Sequence, residues 1–229
     1  MPATMDAAER VVAWPGRPSW AGVDLGAELR ALFPGTRTGC ADDGDLAAIA
    51  EADAAGAAHL VYLGVGTGIG GGIVLDGRPC PGAARGSCEV GHLIVDRTGP
   101  QCDCGRTGCV QAVASGPATL RRAARLRGAE VQFAELRDGL AAGEPWAVSA
   151  VAASCDALAA AVVGLSELVC PDLVLIGGGF AGGMPGFVDR IADRSAELSR
   201  AGRPPVPVRA AVLGGLSSLH GAVLLARGL

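Results

Sequence analysis

A glycine-rich run between two short apolar segments constrains the fold of this chain more than any other feature. The apolar segments cover residues 60–63 and 71–75, and the run between them reads Gly66-Thr67-Gly68-Ile69-Gly70. The pattern GxGxxG is also the fingerprint of dinucleotide-binding proteins, but that fingerprint requires a helix directly after the turn. Because strand-forming residues follow here, the run predicts a β-hairpin instead.

Two interpretations of this hairpin remain, a phosphate-binding loop and a merely tight turn. Five glycines lie between positions 64 and 71, which is more than a turn requires. Glycine lets backbone amides approach phosphate oxygens closely, and Thr67 adds a hydroxyl donor, so the pattern favours phosphate binding. Lysine occurs nowhere in the chain. A phosphate-binding lysine of the Walker type and a Schiff-base mechanism are therefore excluded.

The remaining periodicity predicts alternating helices and strands. Helices are expected over residues 25–33, 46–58, 144–169, 187–200 and 217–226, and strands over residues 93–96, 173–176 and 206–213. The acidic run before the second helix would place Asp43 at or just before a helix N-terminus. On the residues alone, a helix N-cap is the favoured interpretation of Asp43. The strand over residues 173–176 leads into three consecutive glycines, Gly177, Gly178 and Gly179.

One histidine and three cysteines have the spacing of a zinc site. His92, Cys102, Cys104 and Cys109 form the pattern H-x9-C-x-C-x4-C inside a loop that is rich in glycine and proline. A disulfide and unligated thiols are the alternatives. A disulfide is not favoured in a reducing compartment, and unligated thiols would leave this long loop with nothing to hold one shape. The spacing therefore favours tetrahedral zinc, and four protein ligands indicate a structural role.

Charge and hydropathy limit the partners of the chain. The formal net charge is −4, and the arginines are scattered except for four between positions 121 and 127. A nucleic-acid partner is not expected because such proteins carry a concentrated basic patch. The start of the chain does not read as a secretory signal, and no continuous apolar run reaches the length of a membrane span. We therefore expect a cytoplasmic protein without a membrane partner.

Several motifs together resemble the ROK family of sugar kinases and repressors. They are the run GTGIGGGIVLDG from position 66, Glu89-Val90-Gly91-His92, the run CDCGRTGC at positions 102–109, Ser115-Gly116, LVLIGGG at positions 173–179 and Leu219-His220-Gly221-Ala222. The resemblance covers the chain from Asp6 onward. It implies an α/β protein with the actin-like ATPase (ribonuclease H-like) fold, in which residues 1–58 are a reduced N-terminal lobe. Residues 59–229 would form the C-terminal lobe, with the zinc loop at about positions 77–110.

The resemblance also implies a role for individual residues. Asp43 corresponds to the catalytic aspartate that accepts the proton of the attacking sugar hydroxyl, and Glu89 and His92 correspond to residues that hold the sugar. His92 would use one ring nitrogen for zinc and the other for the sugar. The second phosphate loop corresponds to Gly66, Thr67 and Gly68, and the adenine-side loop to Gly177, Gly178 and Gly179.

The same resemblance implies an activity. It is the ATP- and Mg²⁺-dependent phosphorylation of a hexose or N-acetylhexosamine by a glucokinase-like homodimer. Two sugar-contacting positions depart from the family pattern, since Asp42 replaces an asparagine and Gln111 replaces a glutamate. The family's first phosphate loop, Asp-x-Gly-Gly-Thr, has no counterpart before Asp6, so we expect weak turnover. The alternative is a non-catalytic sugar-binding or regulatory protein of the same descent.

Overall fold

A five-stranded mixed sheet with helices on both faces organises most of the chain. The computed structural model of the protein describes residues 4–6, 8–14, 17–82 and 86–228. The α-helices are α1 (Leu25–Leu32), α2 (Asp43–Ala55), α3 (Val110–Ala114), α4 (Gly116–Arg127), α5 (Phe133–Ala141), α6 (Pro145–Val169), α7 (Gly179–Gly183), α8 (Phe187–Leu198) and α9 (Ser217–Gly228). The strands are β1 (Thr4–Met5), β2 (Val11–Ala13), β3 (Leu60–Val65), β4 (Ile69–Leu75), β5 (Arg78–Cys80), β6 (Leu173–Gly177) and β7 (Val208–Ala210). Short 3-10 helices cover Pro18–Trp20, Val90–His92 and Gly214–Leu216.

The main sheet has the strand order β5-β4-β3-β6-β7. β3 and β4 form the predicted glycine-rich hairpin and pair antiparallel, whereas β3, β6 and β7 run parallel. Parallel neighbours end at the same edge of a sheet, so the chain leaves β3, β6 and β7 on one side of the molecule. The loops that follow these three strands are therefore close in space.

Alternation along β3 divides the interior into two hydrophobic clusters. Val61 and Leu63 point into the larger cluster, where α6 packs together with α3, α4, α5 and α8. Leu60 and Tyr62 point the other way, toward α2. Because successive side chains of a strand face opposite sides, one strand supplies both cores. The smaller core is completed by α9, which packs along α2.

The long helix α6 is apolar because it lies inside the protein. It is long and apolar enough by composition to cross a membrane, but 56% of its most apolar stretch is buried against the rest of the chain. Its buried residues, such as Val151, Leu158 and Val162, belong to the larger core. We assign α6 as a core helix of the fold.

Two predicted strands are wrong or too long. Residues 93–96 form only an isolated antiparallel bridge, between Ile94 and Cys109, instead of a strand, because the amides of Val95 and Asp96 both donate to the carbonyl of Gly108. The predicted strand over residues 206–213 shrinks to β7, because Pro207 cannot donate to a sheet and the amides of Val212 and Leu213 donate to Glu51 instead. The helices over residues 25–33, 46–58 and 144–169 are confirmed, with the second one beginning three residues earlier.

The two-stranded sheet of β1 and β2 and the helix α1, all among the described residues before position 36, form a small layer apart from the main sheet. Glu9 connects this layer to the rest of the chain, because its carboxylate accepts from the backbone amide of Cys40 at 3.2 Å and contacts Arg30 at 3.4 Å. The division into two lobes at residue 58 stays a prediction. Parts of the predicted lobe and of the predicted loop over residues 77–110 lie outside the described residues.

Candidate active site

Two glycine-rich loops lie side by side at the carboxyl ends of β3 and β6, and we call this end of the strands the edge of the sheet below. Gly64 pairs with Gly177 across the two parallel strands, so residues 66–68 and 177–179 leave the sheet next to each other. Gly178 has a φ of +90°, and a Cβ there would overlap the backbone of Val65. Ligands of open α/β sheets bind outside the carboxyl ends of the strands. Both predicted nucleotide loops therefore occupy the expected edge.

One side of the hairpin loop is hydrogen-bonded within the protein, and the other side is open. The amide of Gly66 donates to the carbonyl of Gly68 at 2.9 Å, and its own carbonyl accepts from the amide of Gly116 at the start of α4. A Cβ at Gly66 or Gly70 would meet no atom within 4 Å, and Thr67 is exposed. The outer side of the loop thus has room for a ligand that backbone amides could bind.

Helix α2 begins at the same edge and carries Asp43 in its first position. The N-cap is Asp42 and not Asp43, because one oxygen of Asp42 accepts from the amides of Gly44 at 2.9 Å and Asp45 at 3.4 Å. The capping interpretation of Asp43 is therefore wrong. The hydroxyl of Ser218 donates to the carbonyl of Asp43 at 2.9 Å. Asp43 is fixed between α2 and the first turn of α9.

A buried glutamate to which the sequence assigned no role stabilises the contact between α2 and the start of α9. Glu51 lies two turns further along α2 and is fully buried. Its carboxylate accepts from the amides of Val212 and Leu213 and from the hydroxyl of Ser217, at 2.9, 3.1 and 2.7 Å. A buried carboxylate persists only when donors satisfy it, as they do here. Glu51 thus ties α2 to the loop that leads into α9.

Glu89 and His92 approach this edge from the loop after β5. Glu89 is the N-cap of the 3-10 helix Val90–His92 and His92 is its last residue, and the Val90 side chain packs against Gly71 of β4. Gly71 in turn lies against Gly44, which follows Asp43. The charge of Glu89 contributes to the raised pKa of Asp45, which shows that Glu89 lies near the start of α2. That Asp43, Glu89 and His92 surround one sugar stays a prediction.

Gln111 bridges the hairpin loop and the loop of Glu89 and His92. Its side-chain oxygen accepts from the amide of Ile69 at 3.0 Å and lies beside Gly68 and Gly91. A Cβ at either glycine would meet that oxygen. The oxygen of Gln111 therefore helps to position the hairpin loop, and its role as a sugar contact stays a prediction.

Acidic side chains cluster at the first turn of α2. Burial, followed by the charge of Asp43, raises the pKa of Asp42 to about 6. Burial, followed by the charge of Asp42, raises the pKa of Asp45 to about 7. The backbone amide of Cys88 donates to Asp45, but its Oδ1 atom is buried without a hydrogen-bond partner. Asp45 belongs to the acidic run before the second predicted helix, and the sequence assigned it no role of its own.

The four predicted zinc ligands converge. Their ligand atoms all lie within 4.8 Å of one another. The distance between Nδ1 of His92 and Sγ of Cys102 is 3.6 Å, and the same separation joins the sulfurs of Cys104 and Cys109. Tetrahedral zinc with bonds of about 2.0–2.3 Å requires ligand atoms roughly 3.4–3.8 Å apart. Two of the separations match this length and all of them stay within 4.8 Å, so the four donors fit a zinc ion.

Comparison with known proteins identifies the family. The profile of the ROK family matches residues 1–228. The chain belongs to the ROK family. Kanosamine kinase of Amycolatopsis mediterranei (strain S699) is 58% identical to this ROK protein over 226 residues, which cover 99% of this chain and 75% of that enzyme.

Solved ROK structures share the fold. The ROK hexokinase from Thermus thermophilus superposes with a TM-score of 0.84 at 31% identity, covering 99% of this chain and 76% of that one. The ROK glucokinase from Streptomyces griseus, solved with glucose and AMPPNP, superposes with a TM-score of 0.86 at 25% identity. That match covers 100% of this chain and 80% of the glucokinase. The predicted α/β fold of the actin-like ATPase type is therefore confirmed for this ROK chain.

The raised pKa of Asp45 predicts a pH-dependent gain in stability for Asp45→Asn. A carboxyl whose pKa rises on folding stabilises the protein fully below its unfolded value, about 3.9, and loses that contribution as pH rises through about 7. We expect Asp45→Asn to increase the free energy of unfolding by about 1–3 kcal/mol at pH 8 and by much less at pH 4.5. Urea denaturation of both proteins at the two pH values measures it. An equal difference at both pH values would contradict the expectation.

Proposed function

We propose that this ROK protein transfers the γ-phosphoryl group of ATP to a hydroxyl of a hexose-type sugar. One observation carries the proposal. The two glycine-rich loops leave the sheet side by side, and Asp43 begins the helix whose next residue, Gly44, lies against Gly71 of the same hairpin. Phosphoryl transfer depends mainly on bringing a base, a hydroxyl and a phosphate into line, and this edge brings such groups together.

In the proposed reaction Asp43 accepts the proton of the attacking sugar hydroxyl. The sugar oxygen forms a bond to the γ-phosphorus, the bond between that phosphorus and the bridging oxygen breaks, and ADP leaves. Asp43 suits this role because its backbone is anchored by Ser218, so its carboxylate extends from a rigid helix start. The sugar would be held by Asp42, Glu89 and His92, with the amide of Gln111 as a further donor.

The nucleotide would occupy the glycine-rich edge. Thr67 and Gly68 would offer their backbone amides and the Thr67 hydroxyl to the phosphates, and residues 177–179 would form the wall on the adenine side. No lysine exists to neutralise the phosphates. Magnesium bound to ATP supplies the positive charge that stabilises the transferred phosphoryl group. The protein's own contribution is the close approach that glycine permits.

We also propose one structural zinc ion held by His92, Cys102, Cys104 and Cys109. The separations of their ligand atoms support it. Nδ1 of His92 faces the thiols, which leaves Nε2 for a sugar hydroxyl. A metal-bound imidazole has a fixed orientation, so the zinc would set the direction of a substrate contact.

The comparisons support a proposal for the class of sugar substrate. We propose a hexose or amino-hexose, because the 58%-identical relative is a kanosamine kinase and kanosamine is a glucose with an amino group at carbon 3. N-acetylhexosamines are the further candidates from the sequence analysis. The homodimer, the cytoplasmic location and the weak turnover expected from the sequence stay predictions. A non-catalytic sugar-binding role remains the second candidate.

Parallel binding and turnover measurements test this proposal. The chain should bind its sugar in calorimetry without nucleotide, and sugar-dependent ADP release should appear when Mg²⁺ and ATP are added. Glucose, kanosamine and N-acetylmannosamine form the panel. Binding of a sugar with no ADP release above the sugar-free control would favour the non-catalytic candidate. Absence of both binding and turnover for every sugar would remove both candidates.

A further inference from the structure

The hydroxyl of Tyr62 lies beside the starts of both glycine-rich loops. Tyr62 and Gly64 share one face of β3, because side chains at positions i and i+2 of a strand point the same way. A Cβ at Gly177, on the neighbouring parallel strand, would be 2.6 Å from the hydroxyl oxygen of Tyr62, and a Cβ at Gly64 would be 3.2 Å from it. Tyr62 itself is only 6% exposed. The two glycines therefore leave the space that the phenol group fills.

The same hydroxyl is connected to the start of α9. It is hydrogen-bonded to Ser217, the first residue of that helix. The hydroxyl of Ser217 donates to the buried carboxylate of Glu51 at 2.7 Å. The next residue, Ser218, donates to the backbone carbonyl of Asp43 at 2.9 Å. One short segment of α9 thus contacts Tyr62, the middle of α2 and the proposed catalytic base.

Packing alone does not require a tyrosine at this position. A phenylalanine would fill the same part of the core and would bring no buried hydroxyl that needs a partner. The hydroxyl of Tyr62 instead links two parts of the proposed site, since the glycine-rich loops would hold ATP and α2 carries Asp43. Phosphoryl transfer depends on the separation of such parts, because a misplacement of about 1 Å can lower the rate roughly 100-fold.

We propose that Tyr62 is a positioning residue whose hydroxyl fixes the start of α9, and with it Asp43, relative to the two glycine-rich loops. This inference rests on the proposed function and adds to it the group that keeps the base and the nucleotide at a fixed distance. Tyr62 is buried and acts through Ser217. Loss of its hydroxyl should therefore slow the chemical step without removing either binding site.

Tyr62→Phe removes the hydroxyl alone and tests the proposal. We expect kcat for sugar phosphorylation to fall by about 10- to 100-fold. Calorimetric affinities for the sugar and for the non-hydrolysable ATP analogue AMPPNP should stay within about twofold of the wild type, because only the alignment of the two ligands changes. A purely structural role of the hydroxyl would lower thermal stability and leave kcat of the folded protein unchanged.

Ser195→Ala is the matched control for the loss of one buried hydroxyl. Ser195 is buried on α8, a helix that carries none of the proposed site residues, and its hydroxyl donates to the carbonyl of Ile191 at 2.7 Å. Both variants should have a lower Tm, but only Tyr62→Phe should have a lower kcat. A kcat of Tyr62→Phe within about threefold of the wild type, or an equal loss of kcat in Ser195→Ala, would overturn the proposal.

A double-mutant cycle with Ser217→Ala tests the route of the effect. Ser217→Ala should also lower kcat, since it breaks the same link from the other side. The variant that carries both substitutions should be no slower than the slower single variant, because the second change removes nothing that the first has left. Effects on kcat that multiply would show that Tyr62 does not act through Ser217, and the proposal would then be wrong.

Fluorine NMR separates this inference from the proposed function. Tyr62 is the sole tyrosine of the chain, so protein labelled with 3-fluorotyrosine gives one resonance. We expect saturating AMPPNP and Mg²⁺ to shift this resonance, because the loops that would bind the nucleotide start beside the hydroxyl. Sugar phosphorylation with an unchanged resonance and an unchanged kcat in Tyr62→Phe would refute only this inference. A shifted resonance without phosphorylation of any sugar would refute the kinase but support the link between Tyr62 and the nucleotide loops.

Discussion

Asp43→Ala is expected to lower kcat for sugar phosphorylation by a factor of about 10²–10⁴, the usual contribution of a positioned general base. Sugar affinity should change far less, because Asp43 acts mainly when the hydroxyl loses its proton. The substitution preserves the fold. Alanine is well tolerated in a helix, Asp42 still caps α2, and Ser218 donates to a backbone carbonyl that alanine retains.

Asp53→Ala provides the matched control for this experiment. It removes an acid from the exposed surface of the same helix and should leave both kcat and sugar affinity unchanged. Rates of ADP release and calorimetric affinities should be measured on the same preparations. If Asp43→Ala retains kcat within about threefold of the wild type, another group accepts the proton and the proposed role of Asp43 is wrong.

Loss of one zinc ligand is expected to lower zinc affinity by a factor similar to the loss of kcat in Asp43→Ala. Cys104→Ser should lower zinc affinity by more than about 100-fold, since even partners behind the ligands contribute 10–100-fold. Cys104 is exposed, so the substitution disturbs little packing apart from the metal. Thermal unfolding should shift downward, because the proposed ion fixes a loop with little regular structure of its own. Sugar affinity should fall as well, since His92 loses its fixed orientation.

Cys170→Ser is the control for the zinc experiment. Cys170 is also exposed, but it lies outside the cluster, after the end of α6. Metal content should be near one zinc per chain for the wild type and this control, and near zero for Cys104→Ser. A folded wild-type protein that contains no zinc and takes up none on titration would contradict the proposed site.

Local signals explain which parts of the fold could be predicted. The hairpin of β3 and β4, the helix α2 and the buried helix α6 each follow from residues that are neighbours in sequence. The strand predicted over residues 93–96 is reduced to one isolated bridge, because this segment pairs only at Ile94 with Cys109 of the same loop. A short apolar run alone cannot distinguish a strand from a loop when no neighbouring strand is present.

The motifs of the site could be predicted from the sequence, but the long-range contacts that hold them in place could not. The zinc ligands share one short loop, so their spacing already indicated the cluster that the structure brings together. Glu51 could not be assigned, because its partners lie more than 160 positions away in the chain. Such long-range contacts leave no pattern in a single sequence.

Direct analysis of the reaction product tests the central claim most sharply. The chain should be incubated with Mg²⁺, ATP and each sugar separately, and the products identified by mass spectrometry with ADP quantified in parallel. We expect a sugar heavier by one phosphoryl group, formed in equal amount to ADP and absent with Asp43→Ala. ADP without any phosphorylated sugar, or a bound sugar that remains unmodified in the presence of Mg²⁺ and ATP, would contradict the proposed kinase activity.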